Sequence, residues 1–194
     1  MIADKLSAAL RSRTPRILGE EHMRPAAVLV PLQERGDGDY LVLTQRTETV
    51  NSHKGQIAFP GGRIDAHDSG ALAAALRESQ EEIGIEPRDV RILGQLDQVT
   101  AGYNYLVTPF VGVIPFPYEF RLNPAETTAV FSVPIAALLE PGCFRAEARP
   151  YPSSRPGPIP HFHYQDWDIW GATARIISQL LEIACGFEIQ READ

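Results

Sequence analysis

The stretch from Phe59 to Ile85, FPGGRIDAHDSGALAAALRESQEEIGI, constrains this chain more than any other. Its second half reads as a helix from Ser69 to Ile83, stopped by Gly84, a residue suited to the left-handed conformation of a C-cap. At about 100° per residue, Glu78, Glu81 and Glu82 fall within one arc of roughly 100°, so three like charges become neighbours. Glu81 and Glu82 also sit in the last turn, against the negative end of the helix dipole. Each penalty is only about 0.3 to 1 kcal/mol at an exposed site, yet the arrangement turns favourable once a divalent cation sits among the carboxylates.

The alternative is an ordinary amphipathic helix. Leu72, Leu76, Ser79 and Ile83 occupy the opposite face at 4, 3, 4 spacing, which would leave the glutamates as its solvated side. Likewise Pro60-Gly61-Gly62 reads either as a plain turn or as backbone freed for close approach to a ligand.

The chain has 194 residues, 44% of them apolar, enough for one substantial core, and one domain over residues 1–194 is the expectation. Its net charge of −7 and the lack of any Lys/Arg run disfavour a protein that tracks a nucleic-acid backbone. Cys143 and Cys185 lack C-x-x-C spacing and are read as buried thiols. No segment approaches the roughly 18 to 20 apolar residues that span a bilayer, and the first twenty residues lack the apolar run of a signal peptide, so a cytoplasmic protein with no membrane partner is expected.

Elements alternate along the chain. A helix is expected over Ile2 to Arg11, and strands over Arg24 to Leu32 and Tyr40 to Arg46 around a turn at Gly36-Asp37-Gly38-Asp39. Further strands are expected at Gln56 to Phe59, Val90 to Gln98, Tyr105 to Pro115 and His161 to Tyr164. Pro134 starts a short helix that Pro141-Gly142 ends, and the proline-rich Pro150 to Pro160 reads as a loop. A terminal helix from Gly171 to Cys185 turns Ala174, Ile177, Leu180, Leu181 and Ala184 inward. Strands mixed with helices suit an α/β chain with a sheet covered on both faces.

The glycine pair together with Arg77-Glu78-Ser79-Gln80-Glu81-Glu82-Ile83-Gly84-Ile85 resembles the Nudix box, G-x5-E-x7-R-E-U-x-E-E-x-G-U with U bulky and apolar. Ser79 replaces the first bulky U, Asp68 stands where Glu is expected, and eight residues rather than seven separate it from Arg77. The preceding segment, Leu43-Thr44-Gln45-Arg46 with His53-Lys54-Gly55-Gln56-Ile57-Ala58-Phe59-Pro60-Gly61-Gly62, is similar to the further signature of the coenzyme A pyrophosphatase subgroup, which accommodates the Asp and the longer loop. Asn123-Pro124-Ala125-Glu126, Val133-Pro134 and Ile169-Trp170-Gly171-Ala172-Thr173-Ala174 also resemble it, so the likeness spans about residues 24 to 185.

The resemblance implies the Nudix fold, a mixed β-sheet sandwiched between α-helices, with an N-terminal helix within about residues 1–20 and a C-terminal helix within about 171–187 as extensions. It implies hydrolysis of the diphosphate of coenzyme A or a derivative with Mg²⁺ or Mn²⁺. Chemistry agrees with that demand: a diphosphate is a poor electrophile until cations neutralise its oxygens and a base activates the attacking water. By resemblance, Glu78 and Glu82 are metal ligands, Glu81 is a shared ligand or the base, and the backbone at Gly62 completes the metal site.

Arg77 either orients Glu81, four residues on, or forms a surface ion pair with it. Glu126 either brings a further carboxylate from a distant loop or is an exposed acidic residue. Arg46 is the first candidate for phosphate contact, with His53, Lys54 and Arg63 behind it, and Gly55, Gln56 and Gly61 belong to the substrate-side motif. His161 and His163 alternate on one strand face and could mimic a metal pair, but no third ligand stands nearby in sequence and a structural role is preferred. Other readings are a Nudix hydrolase of another nucleoside diphosphate, a catalytically silent nucleotide-sensing module, or, disfavoured by charge, a decapping enzyme. A homodimer through the terminal helices is a further expectation.

Overall fold

The computed structural model describes residues 1–19, 22–47, 55–102, 104–147 and 159–188. In chain order the elements are α1 (Ile2–Ser12), β1 (Arg24–Arg35), β2 (Gly38–Arg46), β3 (Ile57–Ala58), β4 (Gly61–Arg63) and α2 (Ala71–Ile83). Then come β5 (Arg91–Gln95), β6 (Val99–Ala101), β7 (Tyr105–Val113), β8 (Thr127–Pro134), α3 (Ile135–Leu138), β9 (Phe144–Glu147), β10 (Ile159–Tyr164), β11 (Trp167–Trp170) and α4 (Gly171–Cys185).

The long strand β1 organises the molecule. It runs antiparallel to β2 and β4 and parallel to β7, within an eight-stranded mixed sheet that β5, β6, β3 and β8 extend. A parallel pair needs both faces covered, and the near-continuous apolar run of β1 supplies both. Ala26, Val30 and Leu32 face one layer with α1 and α4, whereas Ala27 and Leu29 face the other with α2. Strand β2 divides in the same way, with Leu41 and Leu43 on the first side and Val42 on the second. This is the expected α/β/α sandwich.

A second, three-stranded antiparallel sheet, ordered β11-β10-β9, packs Phe162 and Ile169 into the α1/α4 layer. All five residues expected to face inward from α4 are buried. Helix α2 lies close on the sheet because its inner face is small: Ala74, Ala75 and Ser79 are fully buried. The Ser79 hydroxyl donates to the Ala75 carbonyl at 2.6 Å, so a polar side chain is satisfied where a bulky apolar one was the pattern.

Several boundaries differ from expectation. The first hairpin is tighter, with β1 running to Arg35 and Asp39 already paired to Glu34 in β2. Strand β8, unforeseen in the sequence, fills the outer edge of β2 over Tyr40 to Arg46 and ends at Pro134, the helix start that was expected. Short strands β4, β6, β9 and β11 were also unforeseen; at three or four residues none carries an alternation of its own, and partner strands define them. Pro160 belongs to β10 rather than to a loop, and most of the proline-rich segment lies outside the described residues. Cys143 is buried as expected, but Cys185 is exposed, because it ends α4 at the Gly186 C-cap.

Helix α1 buries Ala3, Leu6 and Leu10 in the larger core, which makes it part of the fold rather than a tail. Leu6→Ala should therefore cost about 2–5 kcal/mol in urea unfolding. A loss well below about 1 kcal/mol would mean that α1 contributes little.

Candidate active site

The site begins where backbone and carboxylate are pressed together. Strand β4 lies against Ala26 to Val28 of β1, and Gly61 there has φ +153°. A Cβ on Gly61 would stand 2.3 Å from the Ala27 carbonyl oxygen, and one on Gly62 would stand 2.5 Å from the Glu78 carboxylate. The first glycine is required by the sheet, the second by the carboxylate that lies over it.

Helix α2 ends as the sequence indicates, with Gly84 at φ +75° donating to the Gln80 carbonyl. Two further carbonyls of its last turn are taken by the chain that follows β7: Arg121 N–H donates to Ile83 at 3.0 Å and Asn123 N–H to Glu82 at 2.9 Å. The following turn is tied to the end of β2 by Thr47 N–H donating to the Glu126 carbonyl at 3.0 Å. Glu126 is half-buried, its carboxylate accepting from Asn123 Nδ2 at 3.3 Å, so it is not an exposed loop residue.

The three glutamates of α2 do not share one environment. Glu82 is 3% exposed, Glu78 is partly buried, and Glu81 is 55% exposed. Burial pushes the Glu82 carboxyl up to about 8, with the Glu126 and Glu78 charges adding to the rise. Against this act Arg46, whose Nη1 lies 3.4 Å from Oε1, and the Gly61 N–H, which donates to Oε2 at 3.3 Å. Glu78 is also raised, first by burial, with Glu81 and Glu126 contributing and Arg77 opposing. Carboxylates that raise one another's pKa are the donor chemistry of a hard divalent cation, which needs only one or two of them beside water and phosphate. The residues present fit such an ion.

Arg77 does more than reach Glu81. Its Nη1 donates to Glu81 Oε2 at 3.1 Å and to Glu78 Oε1 at 2.9 Å, while Nε and Nη2 make a two-pronged bond with Asp68, both at 3.0 Å. Its Nη2 also donates to the Arg63 carbonyl at 3.1 Å. Asp68, only 3% exposed at its side chain, was noted in the sequence as a departure in the box and not as a site residue. Its position nine residues before Arg77 was the available signal. The Arg77 bonds, with the Asp65 backbone N–H, hold the Asp68 carboxyl down at about 2.

Arg46 sits at a bulge between Gln45 and Arg46, where the β2–β8 register shifts and the side chain is re-aimed. Its Nε is buried without a hydrogen-bond partner among the described residues. The Gln56 carbonyl accepts from Arg46 N–H at 3.0 Å, and Gly55 turns the chain there at φ +63°. The Arg63 side chain is exposed, and His53 and Lys54 lie outside the described residues. His161 and His163 are not brought to the carboxylates. Contrary to the sequence reading they do have a third potential ligand, Asp168, which the β10–β11 hairpin places opposite His163.

The NUDIX domain family model matches residues 23–152. The chain belongs to the Nudix family. A protein described as the uncharacterized Nudix hydrolase NudL of Escherichia coli K12 is 41% identical over 160 residues, 81% of each chain. The NudL protein of Photorhabdus laumondii is 39% identical over 171 residues, 87% of this chain and 88% of its own. Among solved structures, a C. elegans Ap4A hydrolase binary complex has a TM-score of 0.50 at 19% identity, covering 59% of this chain and 82% of that one. The M. smegmatis Nudix hydrolase RenU has a TM-score of 0.51 at 18% identity, covering 60% and 73%. Both show the fold alone. As a Nudix hydrolase the protein acts on the pyrophosphate bond of nucleoside diphosphates linked to a further group, and such enzymes generally need divalent cations such as Mg²⁺ or Mn²⁺. No helix among the described residues is long and apolar enough to cross a membrane.

The Asp68–Arg77 pair gives a pH test. With the folded pKa near 2, below the ordinary 3.8, its stabilisation is complete above about pH 4 and is lost as pH falls toward 2. Urea unfolding between pH 5 and 2 should show this loss in the wild type and a shallower one in Asp68→Asn. Identical slopes would contradict the assignment.

Proposed function

We propose that this Nudix hydrolase cleaves the diphosphate of coenzyme A or its derivatives, releasing 3′,5′-ADP and 4′-phosphopantetheine or its acyl form. One observation carries the substrate reading. The separate segments that resemble the coenzyme A pyrophosphatase signature meet in space: Arg46 of the L-T-Q-R strand bonds to Gln56 of the G-Q-I-A-F-P-G-G run, and the Ile57 carbonyl accepts from Thr173 of the I-W-G-A-T-A segment at 3.0 Å. Thr47, next to Arg46, bonds the backbone of Glu126. Segments scattered over more than a hundred residues are thus joined by hydrogen bonds, and two of them bring Arg46 and Glu126 near the Glu82 carboxylate.

In this reading Glu78, Glu82 and the Gly62 backbone hold Mg²⁺ or Mn²⁺, with Glu81 shared between ligation and proton acceptance. When bound, the cation neutralises diphosphate charge and makes water a better nucleophile. Gly61 N–H and Arg46 fix the Glu82 carboxylate. Glu81, the most exposed of the three, is free to accept a proton from water, and Arg77 orients it while Asp68 and the Arg63 carbonyl hold the guanidinium. Glu126 is a second acid–base candidate at the same place. Arg46, with its unpartnered Nε, contacts a phosphate oxygen, and Gly55, Gln56, Gly61, Arg63 and His53 complete the substrate side. We place all of this in one domain, since α1 and α4 share the core of the sheet.

Purified protein with coenzyme A and Mg²⁺ should release 3′,5′-ADP, followed by chromatography. Glu82→Gln should lower kcat/KM by about 100-fold or more yet melt no lower than wild type in metal-free buffer at pH 8, because a neutral amide escapes the cost of burying charge. Cleavage of other nucleotide diphosphates but not coenzyme A would remove the substrate assignment. Retention of most of the rate by the variant would remove the metal assignment.

A further inference from the structure

The three-stranded sheet carries a group of side chains that diphosphate hydrolysis does not use. His161 and His163 project from one face of β10, and Asp168 reaches them from β11. One donor atom from each can be chosen so that all three lie within 4.8 Å of one another. Among the described residues no other set of three His, Cys, Asp or Glu donors is so close, the glutamates of the hydrolytic site included.

We propose that His161, His163 and Asp168 form a second metal site, selective for Zn²⁺ and separate in place and chemistry from the carboxylate site. The donor spacing is the first argument. A tetrahedral ion with bonds of about 2.0–2.2 Å holds its ligand atoms roughly 3.3 Å apart. Here Asp168 Oδ1 stands 3.0 Å from His161 Nδ1 and 3.2 Å from His163 Nε2.

The second argument is an unsatisfied atom. His163 Nε2 is buried, yet it lies out of line for a hydrogen bond with the Asp168 oxygen beside it and has no other hydrogen-bond partner among the described residues. A buried ring nitrogen left without an aligned bond is costly unless something occupies its lone pair. The third is orientation from behind. The second nitrogen of His161, Nε2, faces Glu147 Oε2 of β9 at 3.8 Å, longer than a hydrogen bond but on the side from which a carboxylate orients a metal-bound imidazole. The His161 ring is also held nearly parallel to His163 and to Trp170, at interplanar angles of 10° and 13°.

Two imidazoles and one carboxylate suit Zn²⁺ and neighbouring transition ions, whereas an all-oxygen set suits Mg²⁺. Water would take a fourth position. The ion would clamp the β10–β11 hairpin just before α4, the helix whose Thr173 bonds the Ile57 carbonyl. This is a bracing role, and it does not depend on which diphosphate the enzyme cleaves.

The full-length protein, dialysed with Zn²⁺ in millimolar Mg²⁺ and then against buffer with Mg²⁺ alone, should retain one equivalent of zinc by elemental analysis. His163→Ala and Asp168→Asn should lose it, and Glu82→Gln should keep it. Should those hairpin variants fail to fold, Co²⁺ added to the wild type gives the same test, with the intense visible absorption of a tetrahedral ion expected. Zinc retained equally by His163→Ala, lost in Glu82→Gln, or not retained by the wild type would overturn the proposal, as would only the weak spectrum of octahedral cobalt.

Discussion

The candidate active site depends on one carboxylate kept where a carboxylate is uncomfortable. Glu82 is almost wholly buried, beside Glu78 and within the field of Glu126, and its stabilising contacts among the described residues are long ones to Arg46 and the Gly61 N–H. A protein selected for stability alone would place a neutral or apolar residue here. The cost is tolerable if the site works with a cation that the neighbouring carboxylates share, and the surrounding structure is arranged to keep those groups together.

That arrangement explains features that otherwise look unrelated. Gly61 and Gly62 let β4 lie flat on β1 and under the Glu78 carboxylate, where any side chain would collide. The chain carrying Glu126 caps the last turn of α2, so the same hydrogen bonds that satisfy helix carbonyls also bring in a fourth carboxylate. Arg77 gathers Asp68, Glu78 and Glu81 around one guanidinium, and a lysine could not make that set of directed bonds. Small residues on the inner face of α2 keep the helix close to the sheet.

Much of this was legible in the sequence because it rests on local signals. The stop at Gly84, the glutamates of α2, the apolar faces of α1 and α4 and the long strand β1 each follow from composition at fixed spacing. What could not be read was non-local. Strand β8 is defined by its pairing with β2, and the unequal burial of Glu78, Glu81 and Glu82 is set by what covers the helix end rather than by helix geometry. Asp68 was legible as a departure that the resembled subgroup accommodates but not as the partner of Arg77, and Asp168 joins His161 and His163 only through a hairpin register. Cys185, read as a buried thiol because no partner spacing marked it, is exposed because it lies at the end of α4.

Glu82 is held in strain that a cation relieves, and its titration by carbon-13 NMR of labelled glutamate, assigned with Glu82→Gln, measures this directly. Metal-free protein should show a carboxyl titrating near 8, and saturating Mg²⁺ should move it below the ordinary value of 4.5 by favouring the charged form. A Glu82 that titrates near 4.5 without metal, or that Mg²⁺ leaves unmoved, would contradict the account.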